Sequence, residues 1–105
     1  MMSAPSLFSF DEVKPLVGES FVIRDHAGAE VVAVLGEATS LGFNRPAAQG
    51  GRESFSLVFH VPAKVRVAQG TYDFAHPTLG THALFLVPLG PDATGMRLQT
   101  IFNFS

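Results

Sequence analysis

The chain has no cysteine, no tryptophan and one tyrosine, and carries seven Lys plus Arg against nine Asp plus Glu in 105 residues. Without cysteine there can be no disulfide, no thiolate metal site and no cysteine nucleophile. The same lack fits a reducing compartment. The basic residues are scattered, and only Lys64 and Arg66 stand close together. Nucleic-acid affinity is driven by neutralising phosphates along a basic stripe, so no nucleic-acid partner is expected. The longest strongly apolar run, Ala83 to Leu89, is too short to span a bilayer and contains Pro88. Met1 to Phe10 lacks a basic start and an adequate apolar segment, which makes it a poor signal peptide. A soluble, cytoplasmic protein with no membrane partner is the expectation.

What the chain does have is phenylalanine, ten in all, within an apolar content of 47%. Phe55, Leu57, Phe59 and Val61 occupy every second position, with Ser54, Ser56 and His60 among the residues between. Successive side chains of a strand point to opposite faces, so this spacing gives one apolar and one mostly polar face. The length suits a single domain with one core. Met1 to Ser9 reads as a flexible leader and residues 10–105 as one β-domain.

Ser9, Glu12 and Gly18 frame a short helix between Phe10 and Val17, with Phe10, Val13 and Val17 on one face and Pro15 limiting its length. Phe21 to Arg24 and Glu30 to Thr39 read as a hairpin around the turn residues Asp25 to Gly28. Leu41 to Arg52, with three glycines and a proline, reads as a loop. Lys64 to Val67 suggests a charged edge piece. Gly70 opens a strand in which Tyr72 and Phe74 oppose Thr71 and Asp73, and His76-Pro77 ends it. Thr81 to Val87 is apolar on both faces, as expected of a central strand covered on each side. Pro88 to Gly95 reads as a loop. The last strand sets Met96, Leu98, Thr100, Phe102 and Phe104 against Arg97, Gln99 and Asn103. The predicted fold is therefore all-β, a small antiparallel barrel or sandwich of six or seven strands with a short N-terminal helix.

Gln69-Gly70-Thr71-Tyr72, His76, Leu79-Gly80, Leu84 to Pro88, Gly90 and Phe102-Asn103 form a pattern that resembles a family of small bacterial β-domains of unknown function. Gly18-x-x-Phe21 and Phe55-x-Leu57-x-Phe59 look similar to that family's first half. The resemblance implies the fold, and implies an accessory component encoded beside phage-tail-like or tail-collar-type proteins. It carries over no catalytic position.

Residues with chemical potential are few. His26, His60, His76 and His82 include no His-x-His pair, and a metal site would need several imidazoles with a carboxylate. Asp73, His76 and His82, close in sequence around one hairpin, keep a metal or His/Asp enzyme site open as an alternative. No Gly-x-Ser-x-Gly elbow occurs, Asp11-Glu12 reads as first-turn acid, and Gly50-Gly51-Arg52 lacks the lysine and helix of a phosphate loop. No cofactor is expected. Tyr72 suits either the core, with its hydroxyl at the rim, or a contact with a partner. Terminal aromatics such as Phe104 fray unless they dock on the core or a neighbour. The leading expectation is a non-enzymatic structural or protein-interaction module, binding a protein partner or itself, with Tyr72, Asp73, His76, His82 and Phe104 as candidate contacts. A small-molecule binder, with its ligand in a barrel mouth between the 41–52 and 88–95 loops, is the second alternative.

Overall fold

The computed structural model describes residues 9–25, 27–43, 53–62, 65, 67–92 and 95–102. Ser9 caps the first helix, α1 (Phe10–Val13): Glu12 N–H donates to its hydroxyl (3.2 Å), and Ser9 N–H donates to the Glu12 carboxylate (2.7 Å). These reciprocal bonds satisfy helix-end donors that would otherwise lack partners. Pro15 then tightens the chain into a 3-10 turn, Lys14–Leu16. At three residues per turn the buried face becomes Phe10, Val13 and Leu16, and Val17, expected to share it, is exposed. Gly18 turns the chain into the sheet at φ +97°, where a side chain would be strained, and its N–H donates to Leu35 O (2.7 Å).

Six strands follow: β1 (Ser20–Arg24), β2 (Glu30–Phe43), β3 (Glu53–Val61), β4 (Gly70–His76), β5 (Gly80–Asp92) and β6 (Gly95–Phe102). They close into an antiparallel barrel in the order β1-β2-β3-β6-β5-β4. The expected all-β class, helix and β1–β2 hairpin are all present, and the architecture is a barrel with six strands rather than a sandwich. Asp25 makes the hairpin turn by accepting N–H bonds from Ala27 and Ala29, both at 2.9 Å.

Each half of the chain is a three-stranded meander around one long strand, β2 or β5. Register shifts at Leu35/Glu37, Ser40/Gly42 and Pro88/Gly90 bend these strands as closure requires. The halves join along two seams, β3 with β6 and β1 with β4. Between β3 and β4, Val65 and Val67 pack against the core and neither lies in a strand, while Lys64 and Arg66, the rest of the expected edge piece, lie outside the described residues. Helix α1 lies at one end of the barrel. Leu41 to Phe43, expected in a loop, extend β2; of the loop expected over Pro88 to Gly95, Pro88 to Asp92 extend β5 and Gly95 opens β6; 44–52 and 93–94 lie outside the described residues.

The interior is filled by side chains. Phe21, Phe55, Phe59, Phe74, Leu35, Leu57, Leu86 and Leu98 are fully buried. At the helix end Phe55 stacks on Phe102 (4.5 Å between centroids) and Phe10 tilts against Phe55 (5.6 Å), and Phe21, Phe59 and Phe74 meet inside the barrel (5.1 and 4.9 Å). Such aromatic pairs contribute about 0.5–1.5 kcal/mol each beyond their area burial.

Candidate interaction surface

The strand alternation that fills the barrel leaves an outer face on every strand, and those outer faces differ. On β3 the outer residues include Ser54, Ser56 and His60, whereas β5 turns Ala83, Phe85, Val87 and Leu89 outward. The expectation that both faces of Thr81 to Val87 would be covered is overturned: Leu84 and Leu86 are buried, but Phe85 is 51% exposed and Val87 36%. One layer of strands closed on itself has a single interior, and nothing among the described residues packs on its outside at β5.

Pairing registers extend this surface to neighbouring strands. Phe85 pairs with Thr71 on β4, and Val87 with Gln99 on β6. Ile101, two residues beyond Gln99 and 55% exposed, stands on the same outer face, and pairs with Ser56, which pairs with Thr39. A second row runs from Val87 through Gln99 to Val58 and Glu37, but Val58 is buried and does not extend the exposed surface. Leu89, 38% exposed, prolongs the apolar stripe along β5. Charged residues stand beside it: Asp73 opposite Ala83, Arg97 on β6 opposite Gly90 and so next to Leu89, and Glu37 on β2 opposite Val58. Contiguous exposed apolar surface of this kind marks interaction sites more often than scattered single residues do.

The residues singled out for their chemistry lie elsewhere and do not converge. Tyr72 points inward at the end opposite the helix, where its hydroxyl donates to Ala68 O (2.7 Å). Together with Ile23, Val31 and Val67 it lines a hollow of about 70 Å³, well below the roughly 300 Å³ at which ligand pockets begin. Asp73 points outward and pairs across the seam with Arg24. Arg24 is bound to Glu30 by its Nε (3.0 Å) and a terminal nitrogen, and the hydrogen bond and charge of Glu30 raise its pKa. A cleft of about 330 Å³ beside this cluster is lined by Arg24, Asp25, Gly28, Thr71 and Asp73.

His76 points inward at the helix end, opposite in face to Asp73, with its side chain 4% exposed. Thr78 N–H donates to its Nδ1 (3.0 Å), so the ring proton sits on Nε2 and is donated to Glu19 (2.8 Å). The ring also packs on Phe21 (4.7 Å). His82 Nε2 donates to Leu79 O (2.6 Å). Both imidazoles thus bond within or beside the β4–β5 turn, and no three His, Asp or Glu side chains among the described residues form a metal-binding group. Phe104 and His26 lie outside the described residues. The strand ends Phe43 and Glu53 stand at one end of the barrel and Asp92 and Gly95 at the other, and 44–52 and 93–94 lie outside the described residues.

Sequence reasoning missed Phe85, Val87, Leu89 and Ile101. The signal was present: a strand apolar on both faces in a domain too small for a second covering layer must turn one apolar face outward.

Fold and surface together define a small closed β-barrel with a filled interior and an apolar outer face. Residues 8–102 match the model of a domain of unknown function (DUF6916), and the chain belongs to that family. No curated protein and no solved structure matches it. No helix among the described residues is long and apolar enough to cross a membrane.

Proposed function

We propose that the chain is a non-enzymatic protein-interaction module that docks through the outer face of β5 and β6, as an accessory part of a larger assembly. A phage-tail-like particle is the assembly suggested by the resemblance in its sequence motifs. One observation carries this reading: Phe85, Val87, Leu89 and Ile101 are exposed on the outer face of the neighbouring strands β5 and β6. Such a face favours a protein partner over nucleic acid, whose phosphates require clustered cations.

The test is co-expression with the proteins encoded beside the chain, followed by co-purification of the wild type and of Phe85→Glu. The wild type should retain a defined partner or associate with itself. Phe85→Glu should lose that association with its melting temperature unchanged. Equal behaviour of the two proteins would refute the docking face.

A further inference from the structure

We infer that His76 is an acid-sensitive latch, whose protonation unfastens the β4–β5 turn from the end of the barrel. The turn, residues 77–79, joins His76 at the end of β4 to Gly80, which pairs with it across the hairpin. Its counterpart between β1 and β2 is closed by main-chain bonds, Gly28 N–H to Asp25 O and Asp25 N–H to Ala29 O, both at 3.1 Å. Among the described residues, no main-chain bond beyond the strand pairing closes 77–79. Pro77 has no N–H to give. The next one, of Thr78, goes to His76 Nδ1, and Leu79 O takes its bond from His82. Two imidazoles stand where main-chain partners stand in the other hairpin.

The two rings respond differently to acid. A neutral imidazole has one donor and one acceptor nitrogen, and an imidazolium has two donors. His82 meets a carbonyl as donor, a role it keeps when protonated. His76 meets Thr78 N–H as acceptor, a role it loses: a second proton would set two donors against each other on nitrogens 3.0 Å apart. The ring cannot offer that proton to water, because its side chain is 4% exposed and packs on Phe21. The ionisable groups around it are Glu19, ahead of β1, and His82 on β5, while Arg24 lies at the far end of β1. Glu19 keeps its bond to Nε2 in both states and pairs with the imidazolium, so the ring stays seated. His82, once charged, adds a like charge on the adjoining strand. The part free to yield is the turn, whose Pro77 and Thr78 are exposed. Thr78 N–H then swings to water, and Leu79, packed against the core in the neutral state, leaves it.

Nitrogen–proton NMR of the full chain, followed from about pH 8 to about pH 5, tests the inference by reading each imidazole's protons directly. His76 should hold its proton on Nε2 at the start and take a second on Nδ1 on acidification. In that same step the exchange of the Thr78 amide with water, normalised to an unstructured peptide, should rise about tenfold, as loss of one hydrogen bond implies. The Ile23 and Leu98 amides, within the strand ladders, should stay protected. His76→Gln offers Thr78 an amide oxygen and Glu19 an amide N–H but takes no proton, and should hold Thr78 exchange flat across the range. His82→Gln should leave the step in place. Should His76→Gln fail to fold by circular dichroism, the wild type and His82→Gln decide the matter. A Thr78 amide that stays protected while His76 protonates overturns the inference. So does a step that survives in folded His76→Gln, or a His76 ring that stays neutral throughout.

Discussion

β3 and β5 present similar faces to the barrel interior and different faces to the outside. Inward, β3 contributes Phe55, Leu57, Phe59 and Val61, and β5 contributes Leu84 and Leu86, all buried. Outward, β3 carries mostly serine and histidine, whereas β5 carries alanine, phenylalanine, valine and leucine. Folding requires only the inner sets, because hydrophobic stabilisation follows the area removed from water. The outer set of β5 gains little from folding of this chain, so its apolar character calls for a different cause, and the docking proposed above would supply one.

The sharpest test of that contrast uses two adjacent residues. Leu86→Ala should destabilise the barrel by about 2–5 kcal/mol, since it opens a cavity in a filled core. Phe85→Ala, one position away, should change stability by no more than about 0.5 kcal/mol, as surface substitutions do. Urea unfolding of both variants measures the difference, and comparable losses would break the distinction between the faces.

His76 extends the comparison to a polar inner residue. His76→Ala removes the acceptor for Thr78 N–H and the donor to Glu19, and exposes Phe21. The expected loss is about 1–3 kcal/mol, again by urea unfolding. An unchanged midpoint would show that the imidazole contributes nothing to the barrel end.

A smaller effect is expected at Gly36. A Cβ there would clash with the His60 ring, but that ring is the far end of a side chain half-exposed on the outer face. Gly36→Ala should therefore cost about 1 kcal/mol, and the cost should vanish in a His60→Ala background. A double-mutant cycle isolates the coupling. If the cost persists without the imidazole, backbone geometry at the β2 bulge is its source.

The fold was legible wherever neighbouring residues decide it. Alternation through Phe55–Val61, the Ser9–Glu12 cap and the turn residues at Asp25–Gly28 each set local structure by local chemistry. Closure was not legible, because it depends on Val22 meeting Ala75 and Phe59 meeting Leu98, distant pairs with no mark in either segment. The extension of β2 through Leu41–Phe43 was hidden by Gly42, whose φ of +96° accompanies a bulge rather than a strand end. For the candidate site, attention to reactive residue types outweighed strand parity. Asp73 and His76 differ by an odd number of positions, so a strand places them on opposite faces. The same parity, applied to Ala83–Leu89, separates the buried Leu84 and Leu86 from the exposed Phe85 and Val87.

The segment between β3 and β4 is the only covalent link between the two meanders, which otherwise hold each other through backbone ladders at both seams. Neither meander alone can cover its phenylalanines or leucines, so each is a half-shell that needs its complement. A nick in that segment should leave a reassembling pair of fragments, whereas either fragment made alone should remain unfolded or aggregate.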